Sequence, residues 1–352
     1  MNNDAEKKRP EQTTAESGLQ ALVASRLASV FLNRGNELFE LGRYQEAIAA
    51  YDQARYLGLN TEIYYIKKGA ALLQSLKVDE ALEVIEEGIQ RFPRNYDLFM
   101  LQGILLSGLG HTQQALAALD RAIKLNRRSA EGSYIKGEIL RKAGQFKPAL
   151  AAFKQAIWRR RNYTDAYVGK GVVLGMLGRH KEAVRAFTKA QRLDPENVDA
   201  YDNLSNALML LGQPLKALDV AEDGIRLSPR NAELYRKKGL ALEHLERYSE
   251  ALTAYDRALL YDPAKADAYH DKGVLLDKMG KPEDALAELN KALALDPQAA
   301  ISYHSKAIVL HKLRRHQEAI EACDAALKIN PQFLAAHAKK ARIINDMASR
   351  SQ

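Results

Sequence analysis

Residues 164–197 read TDAYVGKGVVLGMLGRHKEAVRAFTKAQRLDPEN. Tyr167, Gly171 and Leu174 stand at positions i, i+4 and i+7, the spacing of one stripe along an α-helix. A second stripe with the same spacing consists of Ala183, Phe187 and Ala190. Gly178 lies between the two stripes, where a glycine can adopt the left-handed conformation that ends a helix. The stretch therefore predicts two helices of about 14 residues joined by a tight turn.

The same pattern returns every 34 residues along the chain. A leucine keeps this interval at Leu38, Leu72, Leu106, Leu140, Leu174, Leu208, Leu242, Leu276 and Leu310. An alanine keeps it at Ala47, Ala81, Ala115, Ala149, Ala183, Ala217, Ala251, Ala285 and Ala319. An aromatic residue leads eight repeats, at Phe31, Tyr65, Phe99, Tyr167, Tyr201, Tyr235, Tyr269 and Tyr303, and Ser133 takes its place in the fourth. Nine repeats of 34 residues thus fill residues 28–333 without an insertion.

Glycine and proline mark the helix ends in most repeats. The turn between the two helices carries a glycine six times, at Gly42, Gly110, Gly144, Gly178, Gly212 and Gly280. The end of the second helix is followed by a proline six times, at Pro93, Pro195, Pro229, Pro263, Pro297 and Pro331. Because the residue before a proline disfavours helical backbone, these prolines indicate where the second helices stop.

Aromatic, glycine, leucine, alanine, aromatic, alanine and proline at these offsets resemble the tetratricopeptide repeat, over 306 of the 352 residues. The resemblance implies an all-α fold, a right-handed superhelix (an α-α solenoid) of antiparallel helix pairs. It also implies a groove, lined by the first helix of each repeat, that commonly binds an extended peptide or a partner helix. Since no repeat can bury its apolar stripe alone, we expect neighbouring repeats to stack.

Segments without the full repeat flank the array. Residues 1–27 are predicted to be a polar, disordered N-terminal segment, in which residues 15–27 could form a short capping helix. Residues 28–333 are the nine repeats. Residues 334–352 are predicted to be a C-terminal capping helix with a tail, because such a helix shields the apolar edge of the last repeat.

The composition favours an intracellular binding protein. Hydrophobic residues make up 47% of the chain, and Cys323, the only cysteine, excludes an intramolecular disulfide. The first ten residues lack the apolar core of a signal peptide, and no stretch reaches the ~18 apolar residues of a membrane span. No phosphate-binding loop, nucleophile pair or metal-ligand cluster occurs in the sequence. We therefore expect a cytoplasmic, non-enzymatic protein with no cofactor, no metal and no membrane insertion; its oligomeric state is open.

A second apolar line lies about 100° around the first helices from the core stripe. It consists of Leu32, Phe39, Ile66, Leu73, Met100, Ile104, Val168, Val172 and Met176. The fourth repeat interrupts it with Tyr134, and Asn36 is a further candidate binding residue. The core stripe already serves the packing of each repeat, so this line is expected to have no packing role. The sequence predicts a scaffold or adaptor whose protein partner lays a peptide or helix along this line. Two alternatives remain open: the N-terminal segment folds into the groove, or closure of the superhelix covers it.

The same line becomes polar in repeats seven to nine. Its candidate binding residues there are Arg236, His270 and His304, with Glu243, His244, Asp277 and His311 nearby. A metal site is the alternative interpretation, since imidazoles and carboxylates are common ligands. Neighbouring repeats lie roughly 10 Å apart, however, and no His pair at i, i+4 exists. A polar, pH-sensitive groove lining is favoured.

One specific partner is disfavoured. The family's carboxylate clamp, which grips the C-terminal acid of heat-shock chaperones, needs a lysine and an asparagine on one first helix and an asparagine on the next. The first repeat offers Asn36, but Leu32 stands in place of the lysine and Lys67 in place of the second asparagine. The chain therefore does not resemble an adaptor for chaperone tails.

Positive charge is concentrated in the middle of the chain. The net charge is +8, and residues 121–192 hold 18 lysines and arginines but only four acids. Five arginines near Trp158 occur where second helices end, Arg127, Arg128, Arg159, Arg160 and Arg161. Most such runs are only solvated and are favoured there by the helix dipole. As an alternative function, this basic edge of repeats three to five docks an acidic protein, or less favourably an anionic lipid surface or a nucleic acid, since a regular row of aromatic residues is lacking.

Overall fold

The computed structural model describes residues 9–349, with the side chains of residue 20 and of residues from 22 onward. In this part of the chain there are nineteen α-helices and no strand. Their bounds are α1 Arg9–Glu40, α2 Tyr44–Tyr56, α3 Glu62–Gln74, α4 Val78–Arg91, α5 Tyr96–Gly108, α6 Thr112–Leu125, α7 Glu131–Lys142, α8 Phe146–Arg159, α9 Thr164–Met176, α10 His180–Leu193, α11 Val198–Leu210, α12 Pro214–Leu227, α13 Ala232–His244, α14 Tyr248–Tyr261, α15 Ala266–Lys278, α16 Pro282–Leu295, α17 Ala300–Lys312, α18 His316–Ile329 and α19 Leu334–Ala348. None of them is long and apolar enough to cross a membrane.

The helices form the predicted pairs. Odd-numbered helices from α1 to α17 are the first helices of the nine repeats, and even-numbered helices are the second. From α2 to α18 each helix is 12 to 14 residues long. Every proline predicted to end a second helix lies two residues beyond its last residue, as Pro195 does after Leu193. The all-α repeat of helix pairs is confirmed.

The chain forms two compact units: an N-terminal unit up to Gly169 and a C-terminal unit from Lys170 onward. In the N-terminal unit, helices α1 to α8 pack in sequence, and the first helices α1, α3, α5 and α7 also contact one another in order. In the C-terminal unit, helices α10 to α19 pack in sequence, and α11, α13, α15, α17 and α19 contact one another likewise. Within each unit, second helices make no such contacts with one another among the described residues. First helices therefore form a continuous layer in each unit, with one face toward the second helices.

The turn inside each repeat requires a left-handed backbone. All six predicted turn glycines have a positive φ, between 67° and 80°. The other three repeats place Leu76, Glu246 and Arg314 at this position, and their φ angles are 60°, 58° and 61°. In the fifth repeat the N–H of Arg179 donates to the carbonyl of Leu174 at 2.9 Å, which closes the end of α9. The geometry of the repeat thus imposes this conformation even on residues that it strains.

The small residues of the repeat permit close helix packing. A Cβ added to Gly171 would lie 2.5 Å from Cε1 of Phe187, closer than real Cβ contacts. Ala183 on the facing helix is fully buried. The first and second helices of this repeat therefore approach at Gly171, as the sequence pattern predicts.

The flanking segments are helical where the structure describes them. Residues 9–27 belong to α1, which continues without interruption into the first repeat, so the short capping helix considered for residues 15–27 is part of a longer helix. Disorder was also predicted for residues 1–8, which lie outside the described residues. At the other end α19 packs against α18 and α17, where the capping helix is expected.

Candidate functional site

The apolar line of the first two repeats contributes to packing. Four of its residues are half-buried and pack against the core shared by these repeats, Leu32, Phe39, Ile66 and Leu73. Asn36 faces the same core, because the Tyr51 hydroxyl donates to its Oδ1 at 3.1 Å. The expectation that this line has no packing role is wrong here, since successive first helices contact each other.

Met100 fills the space between α5 and α7. It is 5% exposed and belongs to a core cluster with Leu119 and Ile139. Its Sδ lies 3.3 Å from the position that a Cβ on Gly132 would take. The prediction that Met100 offers its side chain to a partner is therefore corrected: Met100 is a packing residue.

The middle of the line is partly covered. Ile104 and Val168 are half-buried on α5 and α9. The ring of Tyr134 lies 5.1 Å from the ring of Tyr163 and 6.0 Å from that of Phe153, measured between centroids. Tyr134 thus belongs to an aromatic cluster within the N-terminal unit and is half-buried.

A surface pocket of about 230 Å³ lies between the last turns of α9 and α11. Its apolar wall is formed by Val172, Met176 and Leu210. The side chains of Met176 and Leu210 are 62% and 57% exposed, so both can be buried further by a ligand. Gly175 also lines this pocket, and a Cβ added to it would have nothing within 4 Å. This α9–α11 pocket is where the predicted line remains open.

Polar groups complete the α9–α11 pocket. Asn203 and Asn206 line it from α11, one turn apart. The Asn203 Nδ2 donates to the carbonyl of Asp199 at 2.8 Å, whereas the side chain of Asn206 is exposed and forms no hydrogen bond within the described residues. His180 lines the opposite side, and its buried Nδ1 has no hydrogen-bond partner. These three residues are not among the predicted binding residues, although each lies one helical turn from the predicted line or beside its end.

Arg236 is held in place by two carboxylates. Its Nη1 donates to Asp271 at 2.7 Å and its Nη2 to Glu233 at 2.7 Å. Burial alone would raise the pKa of Glu233, but hydrogen bonds from Arg236 and Lys265 outweigh it and hold that pKa well below its usual range. Other pairs join residues 35 positions apart on successive first helices, Glu243 with Lys278 and Asp277 with Lys312. Arg236 therefore belongs to an ion-pair ladder between first helices and has little charge to offer a partner.

The two predicted histidines of the line differ: His270 is hydrogen-bonded within the fold, whereas the buried Nδ1 of His304 has no hydrogen-bond partner. Nδ1 of His270 is hydrogen-bonded to Oγ of Ser302 at 3.0 Å, and burial lowers the pKa of His270. Burial also lowers the pKa of His304, whose ring lies 5.2 Å from the ring of Phe333. Both side chains are therefore neutral near pH 7. The described residues contain no group of three or more His, Cys, Asp or Glu that could hold a metal ion.

The five arginines of the basic edge fall into two groups. A surface pocket of about 670 Å³ at the ends of α6 and α8, here called the basic pocket, is lined by Ile123, Lys124, Arg127, Arg128, Trp158 and Arg159. Arg160 points elsewhere, with its guanidinium carbon 3.8 Å from the centre of the Tyr163 ring. Arg161 is exposed. Three of the predicted arginines thus surround Trp158, together with Lys124, which was not predicted.

Comparisons with known proteins agree with this architecture. The family model described as tetratricopeptide repeat matches residues 32–95, 100–166, 137–198, 168–229, 203–269 and 270–332. Among solved structures, the Cut9–Hcn1 hetero-tetramer of the APC/C is similar with a TM-score of 0.59 and 17% identity, over 90% of this chain and 76% of that one. A tetratricopeptide repeat protein from Parabacteroides merdae has a TM-score of 0.54 and 17% identity, over 71% of this chain and 99% of that one. At this identity the two likenesses concern the fold alone. No curated protein matches the sequence.

Proposed function

The chain belongs to the tetratricopeptide repeat family, and from this premise we propose that it is a scaffold or adaptor that binds a peptide or partner helix at the α9–α11 pocket. The observation that carries the proposal is the combination of an open apolar wall with two amide side chains at one place on the first helices. Elsewhere on the same line, side chains are engaged in packing or in the ion-pair ladder. The predicted binding residues that support the proposal most directly are Val172 and Met176.

The apolar wall supplies the affinity for one side chain of the partner. A ligand side chain that buries about 100 Å² of apolar surface against Val172, Met176 and Leu210 gains roughly 2.5 kcal/mol. Met176 is unbranched and flexible, so it can adapt to side chains of different shape. A pocket of this kind selects for an apolar anchor without demanding one particular residue.

The amides supply orientation. Asn203 uses one amide hydrogen on Asp199, which leaves its Oδ1 available as an acceptor. Asn206 has both donors and its acceptor available at the pocket rim. Donors and acceptors one helical turn apart match the alternating N–H and C=O groups of a peptide backbone. The apolar anchor and the backbone of a bound peptide would thus be recognised together.

The proposed role is binding without chemistry. Cys323, the only cysteine, is buried in the core of the last repeats, and burial raises the pKa of its thiol. A thiol with a raised pKa is a poor nucleophile. We assign no catalytic residue, no cofactor and no metal to this chain.

A substitution that fills the pocket tests the proposal. Peptides of 12 random residues, displayed on phage, are selected against the full chain, and the affinities of the best binders are measured by fluorescence anisotropy. Gly175→Phe should lower these affinities at least tenfold, because the new ring occupies the open space beside Met176. Gly108→Phe is the matched control, since Gly108 also has nothing within 4 Å of its Cβ position and lies outside the pocket. Equal affinity for the Gly175→Phe variant and the wild type would refute the proposal.

The basic edge is a second candidate binding site, for an acidic protein. The observation that favours it is the lack of ion pairs: Arg127, Arg128 and Arg159 form none with the described residues. Charges that are not neutralised inside the fold attract an oppositely charged partner and raise its association rate. This candidate is independent of the α9–α11 pocket.

A further inference from the structure

The cations of the basic pocket differ from the arginines that directly precede second helices. Arginines just before a second helix pair with a glutamate three residues later, as Arg43 does with Glu46, Arg179 with Glu182, Arg247 with Glu250 and Arg315 with Glu318. No carboxylate lines the basic pocket, and its Lys124 and three arginines have no ion pair within the described residues. Four cations around one concavity therefore repel one another without compensation. An anionic ligand would relieve that repulsion.

Trp158 gives the basic pocket an apolar surface that the repeat does not require. The side chain is 69% exposed. At the same position the next two repeats carry Arg192 and Arg226, which are also exposed. Because this position is not part of the core stripe, packing does not explain a tryptophan there. A large exposed aromatic side chain inside a concavity is typical of an interface anchor.

Two departures from the repeat pattern place Arg159 in the pocket wall. Five other repeats have leucine at its position, Leu57, Leu125, Leu193, Leu227 and Leu295, and the second repeat has Arg91. Ser133 replaces the leading aromatic residue of the same repeat and is fully buried. The Arg159 Nη1 donates to Oγ of Ser133, and its Nε donates to the carbonyl of Arg127 at 2.7 Å. A leucine that is half-buried or exposed in other repeats is thus replaced by a guanidinium held by two hydrogen bonds, which leaves further N–H donors of Arg159 unused.

We propose that the basic pocket binds an acidic peptide segment that contains an aromatic residue. The aromatic side chain packs against Trp158 and Ile123, and aspartate or glutamate side chains on both sides of it pair with Arg127 and Arg128. Arg159 needs no reorganisation to contribute, because two hydrogen bonds already fix it. Guanidinium groups match carboxylates in a bidentate geometry, which favours acidic side chains as the anion. This inference deepens the second candidate function and rests on it.

A protein segment fits the pocket better than a nucleic acid. Binding of single strands without sequence preference uses several aromatic rings on which successive bases stack. The basic pocket has one exposed ring, while the nearby Tyr163 is buried and covered by Arg160. The pocket is also concave, which suits one inserted side chain rather than a flat lipid surface.

Trp158 is the only tryptophan of the chain and reports directly on this pocket. The probe is a 12-residue peptide of alternating Asp and Glu with one central Phe, and its partner peptide has Ser in place of Phe. We expect the Phe peptide to shift Trp158 emission to shorter wavelength and to protect it from acrylamide quenching. It should bind at least tenfold more tightly than the Ser peptide and lose at least tenfold in affinity from 50 to 300 mM salt, because salt screens exposed charges.

Charge variants locate the site. Arg127→Ser combined with Arg128→Ser should weaken the Phe peptide at least tenfold. The control combines Arg94→Ser with Arg230→Ser, which removes the same charge: both residues are exposed, have no ion pair within the described residues, and occupy the repeat position of Arg128. Affinity of this control equal to that of the wild type supports the proposal.

Four results would overturn the proposal. Equal weakening in both double variants would show that only overall charge matters. Equal binding of both peptides with unchanged Trp158 emission would reject the basic pocket as the site but would still allow acidic proteins to dock at the basic edge. Binding of neither peptide would reject both the pocket and the basic edge as binding sites. Tighter binding of a 12-nucleotide oligothymidine, or of vesicles containing phosphatidylserine, than of the Phe peptide would assign the site to another class of partner.

Discussion

Replacing Met100 by serine should cost much of the stability of the N-terminal unit, whereas replacing Met176 by serine should cost almost none. Met100 is 95% buried among Leu119 and Ile139, so its truncation leaves a cavity between α5 and α7. Truncation of a buried methionine costs about 2–5 kcal/mol, and an unsatisfied buried hydroxyl adds roughly 1 kcal/mol. We expect a loss of about 3–5 kcal/mol. Met176 is 62% exposed, so its change should stay within about 0.5 kcal/mol.

Urea denaturation measures this difference. Circular dichroism follows the whole array, and fluorescence of Trp158 follows the fourth repeat, which adjoins the cavity. Because each repeat is stabilised mainly by its neighbours, the Met100→Ser variant should begin to unfold at a lower urea concentration in the fluorescence signal than in the dichroism signal. Equal stability of the two variants, or a loss below about 1 kcal/mol for Met100→Ser, would show that Met100 is accessible after all. It would then return to the predicted binding line.

Three further changes test other parts of the structure. Glu246→Gly should raise the free energy of unfolding by about 0.5–1 kcal/mol in urea titrations, because it relieves a left-handed backbone at φ 58°. Burial lowers the pKa of His270, so below about pH 6.5 the unfolded chain binds more protons than the folded chain. The free energy of unfolding therefore decreases as the pH is lowered. His270→Gln should reduce that slope in melting curves from pH 7.5 to 5, while the exposed His111→Gln should not. Ala183→Leu should cost ~1–3 kcal/mol by overpacking, against almost nothing for Lys189→Leu, as differential scanning calorimetry can measure.

The repeat could be predicted from the sequence because each of its signals involves residues that lie close together in the chain. The spacing of Tyr167, Gly171 and Leu174 reports a contact within one helix pair, and the structure has that contact. At Leu76 the turn has the left-handed backbone conformation although the residue is not a glycine, so the rest of the repeat is sufficient to impose this conformation. The extension of α1 was not predicted: Pro10 is tolerated at the start of a helix, but the polar composition and the Ser17–Gly18 pair before the first repeat do not indicate a continuous helix.

The candidate site was less predictable because the second apolar line has two uses. A line of apolar residues beside the core stripe can contact the next first helix or a partner, and the periodicity of one helix does not distinguish the two. Met100 contacts the next first helix, since the small Gly132 at the facing position leaves room for it. Met176 stays exposed at the end of α9, beside Gly175. Whether a residue of this line is buried or exposed thus depends on the size of the residue that faces it on the next first helix, 30 or more positions away in the sequence.

The capacity to bind a partner depends on which groups the fold leaves unsatisfied, and this differs among the repeats. In the last repeats the ion-pair ladder neutralises Arg236, so a partner charge placed there would first have to displace Asp271 or Glu233. Breaking a buried pair is costly, whereas engaging an unpaired surface group is not. Asn206 in the α9–α11 pocket and Arg128 in the basic pocket have no such competitor within the described residues. A partner therefore gains most at these two pockets, even though the polar line of the last repeats carries more charge.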